Sequence, residues 1–281
     1  MKTKKSFIFA VTIALLMTSC VTTSFYQVYK AKPSDKLITK DNYLVYEDDN
    51  CKVSYNLWGE GGNIGFRFYN KTESNIYLNL EESFFVLNGI SYDYFRNRVF
   101  TSSTTSGATT ARAATASKSV TGFNYLDLLQ TNRIQATSSL GLMTSSGYSI
   151  SYNEEKVICI PSNTSKIITE YYINEFLFRD CDLFKYPSKK QINSKSFSKE
   201  ESPIVFSNRI AYSIAQSVNL VKFENEFYVS EISNYPESVI FESKHDEYCG
   251  QKSETKKMYF KDVSPDKFYI KYTKGTDTWK H

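Results

Sequence analysis

Histidine is nearly absent: the chain has two, His245 and His281. Serine and cysteine hydrolase triads need an imidazole base, and most zinc sites draw on imidazole, so both chemistries are disfavoured. The spacings G-x-S-x-G, H-E-x-x-H, C-x-x-C and the P-loop pattern are missing as well. Gly59-Glu-Gly-Gly-Asn-Ile-Gly65 has the glycines of a dinucleotide fingerprint but the wrong spacing, and it sits between two strand-like runs. It reads as a turn. Beyond the first twenty residues no apolar run approaches membrane-spanning length. Nor is there an excess of charge to hold nucleic acid. The chain is formally +4, from 34 basic and 30 acidic residues, and three of those lysines lie in the first five positions. Without them 31 basic and 30 acidic residues remain, a net of +1. Lys185, Lys189, Lys190, Lys195 and Lys199 cluster, but Ser, Gln and Asn interleave them, as in a solvated loop. No nucleic-acid partner and no cofactor are expected.

What is present begins with an address. Lys2, Lys4 and Lys5 precede an apolar run, 7–17, interrupted only by Thr12, and small Thr18 and Ser19 precede Cys20. That layout is a secretory signal, its apolar stretch too short for a permanent span. Leu16-Met17-Thr18-Ser19-Cys20 resembles the lipobox of bacterial lipoproteins, with Met17 where Leu is usual. The resemblance implies cleavage after residue 19, acylation of Cys20, and a mature chain held to a membrane by lipid. Residues 20–281 then form one domain.

Tyrosine (22) and phenylalanine (20) are abundant, and aromatic side chains suit a pleated, half-buried surface. Val53, Tyr55 and Leu57 alternate with polar residues, as do Ile64, Phe66 and Phe68 beyond the glycines. The two runs predict a β-hairpin with Asn63–Tyr69 antiparallel to Lys52–Trp58 and Arg67 on the opposite face. Asn88-Gly89 joins two further runs, and this pair favours a type I′ turn because both central residues need positive φ. Strands are also expected at 25–30, 43–47, 76–80, 156–161, 167–173, 204–211, 220–229 and 267–272. Short strands with Gly, Asn, Ser and Pro between them describe an all-β, immunoglobulin-like β-sandwich, although no Cys…Trp…Cys signature is present.

Residues 101–120, TSSTTSGATTARAATASKSV, are low in apolar side chains and are expected to be flexible. With the stretch to about 150 they form a Ser/Thr/Ala-rich insertion. Inside it Phe123, Leu126 and Leu129 fall at helical spacing.

Four cysteines accompany Cys20. Cys159 lies in a strand-like run, where a buried thiol is at ease, while Cys181 and Cys249 sit in polar, turn-like settings. If a disulfide forms, Cys181 with Cys249 is the expected pair. Glu47, Asp48 and Asp49 with Asn50 offer hard oxygen ligands, but without EF-hand spacing, so exposed turn acids are expected and no metal. Asp180 and Asp182 read as turn residues too.

The export signal, the aromatic strands and the phrase NLWGEGGNIGFRFYNKTESNIYLNL (56–80) together resemble lipoproteins of gut Bacteroidota. The resemblance implies the outer membrane. Surface-exposed members of that group carry acids soon after the lipidated cysteine, whereas here Val21-Thr-Thr-Ser24 follows and the first acid is Asp35. That departure points to the periplasm-facing leaflet. The leading expectation is a non-enzymatic envelope lipoprotein that presents its sandwich to a protein partner. The alternative is a glycan- or small-ligand-binding lipoprotein, and an enzyme ranks third. A groove lined by tyrosines would favour the ligand, and a bare edge or apolar patch the partner.

Overall fold

A computed structural model describes residues 23–33, 36–106, 146–215 and 217–275. Cys20 with its signal, and the core of the insertion with Phe123, Leu126 and Leu129, lie outside the described residues, as does His281. The described part is all-β, built of antiparallel sheets with one short helix, and one sheet curls as a half-barrel.

In chain order the first strands are β1 (Ser24–Pro33), β2 (Ile38–Lys40), β3 (Tyr43–Glu47), β4 (Cys51–Tyr55), β5 (Phe66–Asn70) and β6 (Ile76–Asn79). Then come β7 (Phe84–Leu87), β8 (Ile90–Asp93), β9 (Val99–Ser106), β10 (Ser146–Asn153), β11 (Val157–Ile160) and β12 (Ser165–Ile168). The last part holds β13 (Ser194–Ser196), β14 (Val205–Ile214), β15 (Val221–Pro236), helix α1 (Glu237–Ile240), β16 (Phe241–Tyr248), β17 (Gln251–Phe260) and β18 (Lys267–Thr273).

A nine-stranded sheet runs β11-β6-β14-β15-β1-β18, with β13 added to β15 and the β7–β8 hairpin added to β14. A five-stranded sheet runs β12-β5-β4-β3-β2. Two ribbons, β9–β10 and β16–β17, stand apart from both. Alternation decides which faces meet. On β4 and β5, Val53 lies opposite Phe68 and Tyr55 opposite Phe66, all buried, while Arg67 points out. Their partners come from the other sheet: Tyr55 meets Phe227 edge-on at 5.4 Å, and Phe68 meets Tyr212 at 5.5 Å. Tyr46 stacks on Phe223 at 4.5 Å. Each buried ring contributes about 2–3 kcal/mol through apolar burial, so these cross-sheet contacts hold the layers together.

The predicted register of β4 on β5 is the one observed, but the link between them is longer than a hairpin turn. The ladder stops at Tyr55 and resumes at Phe66. Between them the chain lies along β18, where Gly61 N–H donates to the Tyr269 carbonyl (2.8 Å) and Leu57 N–H to that of Pro265 (2.9 Å). Gly62 has φ +73°, and a Cβ there would stand 2.8 Å from Phe268 and Ile173, so only glycine allows this approach. Asn88 (φ +48°) and Gly89 (φ +82°) form the expected two-residue turn, with Leu87 opposite Ile90.

Two expectations change. Residues 101–106, where a flexible tract was expected to begin, are the end of β9 and pair with β10. The ladder satisfies the backbone, and β-branched Thr favours a strand. The strand expected over 167–173 is shorter and earlier, at Ser165–Ile168.

Candidate functional site

The β16–β17 ribbon was not foreseen from sequence. Its turn is Cys249-Gly250, with φ +51° and +79°. Its ladder runs from Phe241 opposite Phe260 to Tyr248 opposite Gln251, with one irregularity between His245 and Glu247. Ser253 repairs that irregularity: its Oγ accepts from Asp246 N–H at 2.9 Å, and its carbonyl faces His245 Nδ1 at 2.7 Å. Neither β16 nor β17 pairs with another described strand. Most of the ribbon is exposed on both faces, with Tyr248 at 83% and Met258 at 59%.

The foot of the ribbon is fixed by rings. Tyr26 and Tyr269 lie on the outward face of β1 and β18, and alternation places them beside one another (5.7 Å). Phe241 and Phe260, at the base of the ribbon, meet at 4.3 Å, and Phe260 packs on Tyr269 at 4.7 Å. Trp58 closes the cluster edge-on to Phe260 at 5.0 Å. An Asx turn aims it there, since Asn56 Oδ1 accepts from Trp58 N–H at 3.0 Å. Burial, with Glu237 and Glu60 nearby, raises the Tyr26 phenol above its ordinary pKa.

Beside this cluster a groove of about 360 Å³ opens between the nine-stranded sheet and the foot of the ribbon. Trp58, Val28, Val239 and Tyr235 give it apolar walls. Lys30, Glu231, Lys261 and Asp262 supply donors and acceptors around them. Lys267, also on the lining, is held by Asp262 at 2.5 Å. Such a groove is in the size range of small-ligand sites and mixes ring surface with polar groups.

A second concavity, about 110 Å³, lies between the β7–β8 hairpin and residues 170–176. Phe85, Tyr92 and Tyr171 form its ring surface, and Phe85 and Tyr171 stack at 5.2 Å. Arg96 caps Tyr171, 4.7 Å above the ring, and its Nε donates to the Tyr171 hydroxyl at 3.2 Å. The far wall is anchored from the core. Buried Gln27 donates from Nε2 to the Phe178 carbonyl (2.8 Å) and accepts at Oε1 from Phe178 N–H (2.7 Å). At well under the volume of an ordinary ligand site, this cleft is better explained as packing.

The residues singled out from sequence fall elsewhere. Cys51, Cys159, Cys181 and Cys249 are all free. Cys181 lies in a turn closed by Leu183 N–H on the Asp180 carbonyl (3.3 Å), and Cys249 is at the tip of the ribbon. The expected Cys181–Cys249 pair thus stands in this structure as two exposed free thiols in separate turns. Asp180 and Asp182 both bind Lys195, at 2.6 and 3.0 Å. Asp48 Oδ1 accepts from the N–H groups of Asn50 (2.8 Å) and Cys51 (2.7 Å), and Glu47 pairs with Lys71 at 2.8 Å. These acids build turns. Among the described residues no group of three or more His, Cys, Asp or Glu is placed to hold a metal ion, and no helix is long and apolar enough to cross a membrane.

Comparison with protein-family models, with curated proteins and with solved structures finds no match to this chain.

Proposed function

We propose that this chain is a non-enzymatic lipoprotein of the bacterial outer membrane, anchored through Cys20 on the periplasm-facing side, that offers its β16–β17 ribbon to a protein partner. In this reading the body is an immunoglobulin-like β-sandwich, a view supported by the ring contacts between the two large sheets. The observation that carries the function is the ribbon with both edges unpaired among the described residues and Tyr248 and Met258 exposed. An isolated two-stranded ribbon is marginally stable in water, and an open edge is a template for another strand. An extended segment of a partner that adds to one edge satisfies the backbone groups and covers the exposed side chains. Photo-cross-linkers placed at Tyr248 and Met258 in intact cells test this. Discrete adducts from those positions, absent from a control position at Glu81, support it, and equal labelling from all three refutes it.

A second reading, a sugar or other small ring in the groove beside Trp58, is favoured by the volume and mixed lining of that groove. Sugar faces stack on aromatic rings while Lys and acid side chains bond the hydroxyls. Saturable quenching of tryptophan fluorescence by sugars, lost in Trp58→Ala, would establish it over the partner reading.

A further inference from the structure

We infer that the outward face of the five-stranded sheet binds a phosphate, carried on a small polar molecule or a lipid headgroup, between Arg67 and Lys52. This inference is independent of the ribbon and of the lipid anchor. In the register of the sheet, Arg67 lies directly opposite Ser54, and Lys52 opposite Tyr69. Arg67 and Lys52 are thus diagonal neighbours on one face, close enough for like charges to oppose folding. Glu47, directly across from Lys52, makes its salt bridge with Lys71 at 2.8 Å. Arg96, Arg98 and Arg209 each meet a glutamate. Among the described residues Arg67 has no such salt bridge.

The space in front of these cations is shaped. A hollow of about 490 Å³ lies over Lys52 and Arg67, bordered by Tyr43, Tyr69, Ser54 and Ser165. Asp41 is the one carboxylate on this lining, so the hollow keeps a net charge of +1. A guanidinium presents a planar fork that matches two oxygens of a phosphate or carboxylate, and an ammonium adds a point charge. The serine and tyrosine hydroxyls extend the set of donors, and two phenol rings offer faces to a sugar that bears the anion. Because the face is open to water, salt weakens the attraction.

The test is calorimetric titration of the purified full chain with inorganic phosphate, a sugar phosphate, the matching neutral sugar and phosphatidylglycerol vesicles. Saturable binding of at least one phosphate-bearing probe, with none of the neutral sugar, is expected, and it should weaken as salt is raised. Arg67→Ala and Lys52→Ala should each lower affinity about tenfold, with Arg67→Lys between them and wild type. A stronger response to the sugar phosphate places the anion on a sugar, and a response to vesicles alone places it on a lipid headgroup; either supports the site. Absence of saturable binding by every phosphate-bearing probe overturns it. So does affinity unchanged in the Arg67→Ala, Lys52→Ala double variant, provided the thermal midpoint shows that the variant is folded.

Discussion

Asn208 and Asn225 face each other across β14 and β15, wholly buried, and their side chains do not share equally in the hydrogen bonding. Asn208 accepts from the Tyr94 hydroxyl (2.7 Å) and donates to the Ile64 carbonyl (3.0 Å). Asn225 donates to the Tyr55 hydroxyl at 2.8 Å, but its Oδ1 has no partner among the described residues. A buried acceptor left open costs about 1–3 kcal/mol.

Asn225→Asp is expected to convert that modest cost into a large one. A carboxylate in this site is stable only when protonated, so its folded pKa rises above the unfolded value of about 3.9. Stability is then retained below about pH 4 and lost as pH rises toward the folded pKa, by about 3 kcal/mol or more. Denaturant unfolding of the variant at several pH values checks the sign. A loss that grows on acidification contradicts the burial of this site.

Glu154 should behave in the opposite way. Burial pushes its carboxyl upward, but Arg98 and the N–H groups of Arg96 and Arg98 (2.9 and 3.0 Å) outweigh burial and hold the pKa below its usual value of 4.5. Its contribution is therefore present above the unfolded pKa and lost as pH falls through the depressed one. Glu154→Gln is expected to cost about 1–3 kcal/mol at pH 7 and much less near pH 3, read from thermal or denaturant unfolding.

Phe66→Ala and Arg67→Ala separate the two faces of β5. Removal of the buried ring should cost about 3–5 kcal/mol, a large share of a domain's stability. Removal of the outward guanidinium should cost under about 0.5 kcal/mol. Equal losses in denaturant unfolding would contradict the assignment of faces.

Cys20→Ala is expected to release the chain from membranes or leave its precursor uncleaved. Each buried CH₂ of an acyl chain contributes about 0.8 kcal/mol of anchoring. Fractionation that finds processing and attachment unchanged would remove the lipid anchor from the proposed function.

Strands with one dry face were legible in sequence, and strands with two wet faces were not. Val53, Tyr55, Phe66 and Phe68 announce their register because a slip by one residue would expose them all. The run from Glu242 to Glu247 carries Lys244, His245 and Asp246, with no apolar alternation, so nothing but Cys249-Gly250 marked a turn there. The groove was hidden for another reason: Val28, Trp58, Glu231 and Lys261 come from distant parts of the chain, and only the topology brings them together. Composition gave no strand at residues 101–106 because it weighs side chains, whereas their pairing with β10 is made by the backbone.

The place of β1 inside the nine-stranded sheet governs the order in which the chain can assemble. Phe25 lies opposite Pro236 on one side and Tyr272 on the other, so the earliest strand has no neighbour until the latest ones exist. Loops of this length close slowly, and pairings so far apart in sequence put a domain among the slow folders. Until β15 and β18 arrive, the β1 backbone has no ladder partner among the described strands. A ribosome-bound chain cut short before residue 267 should therefore remain unpaired along one edge of β1, open to chaperones and proteases alike.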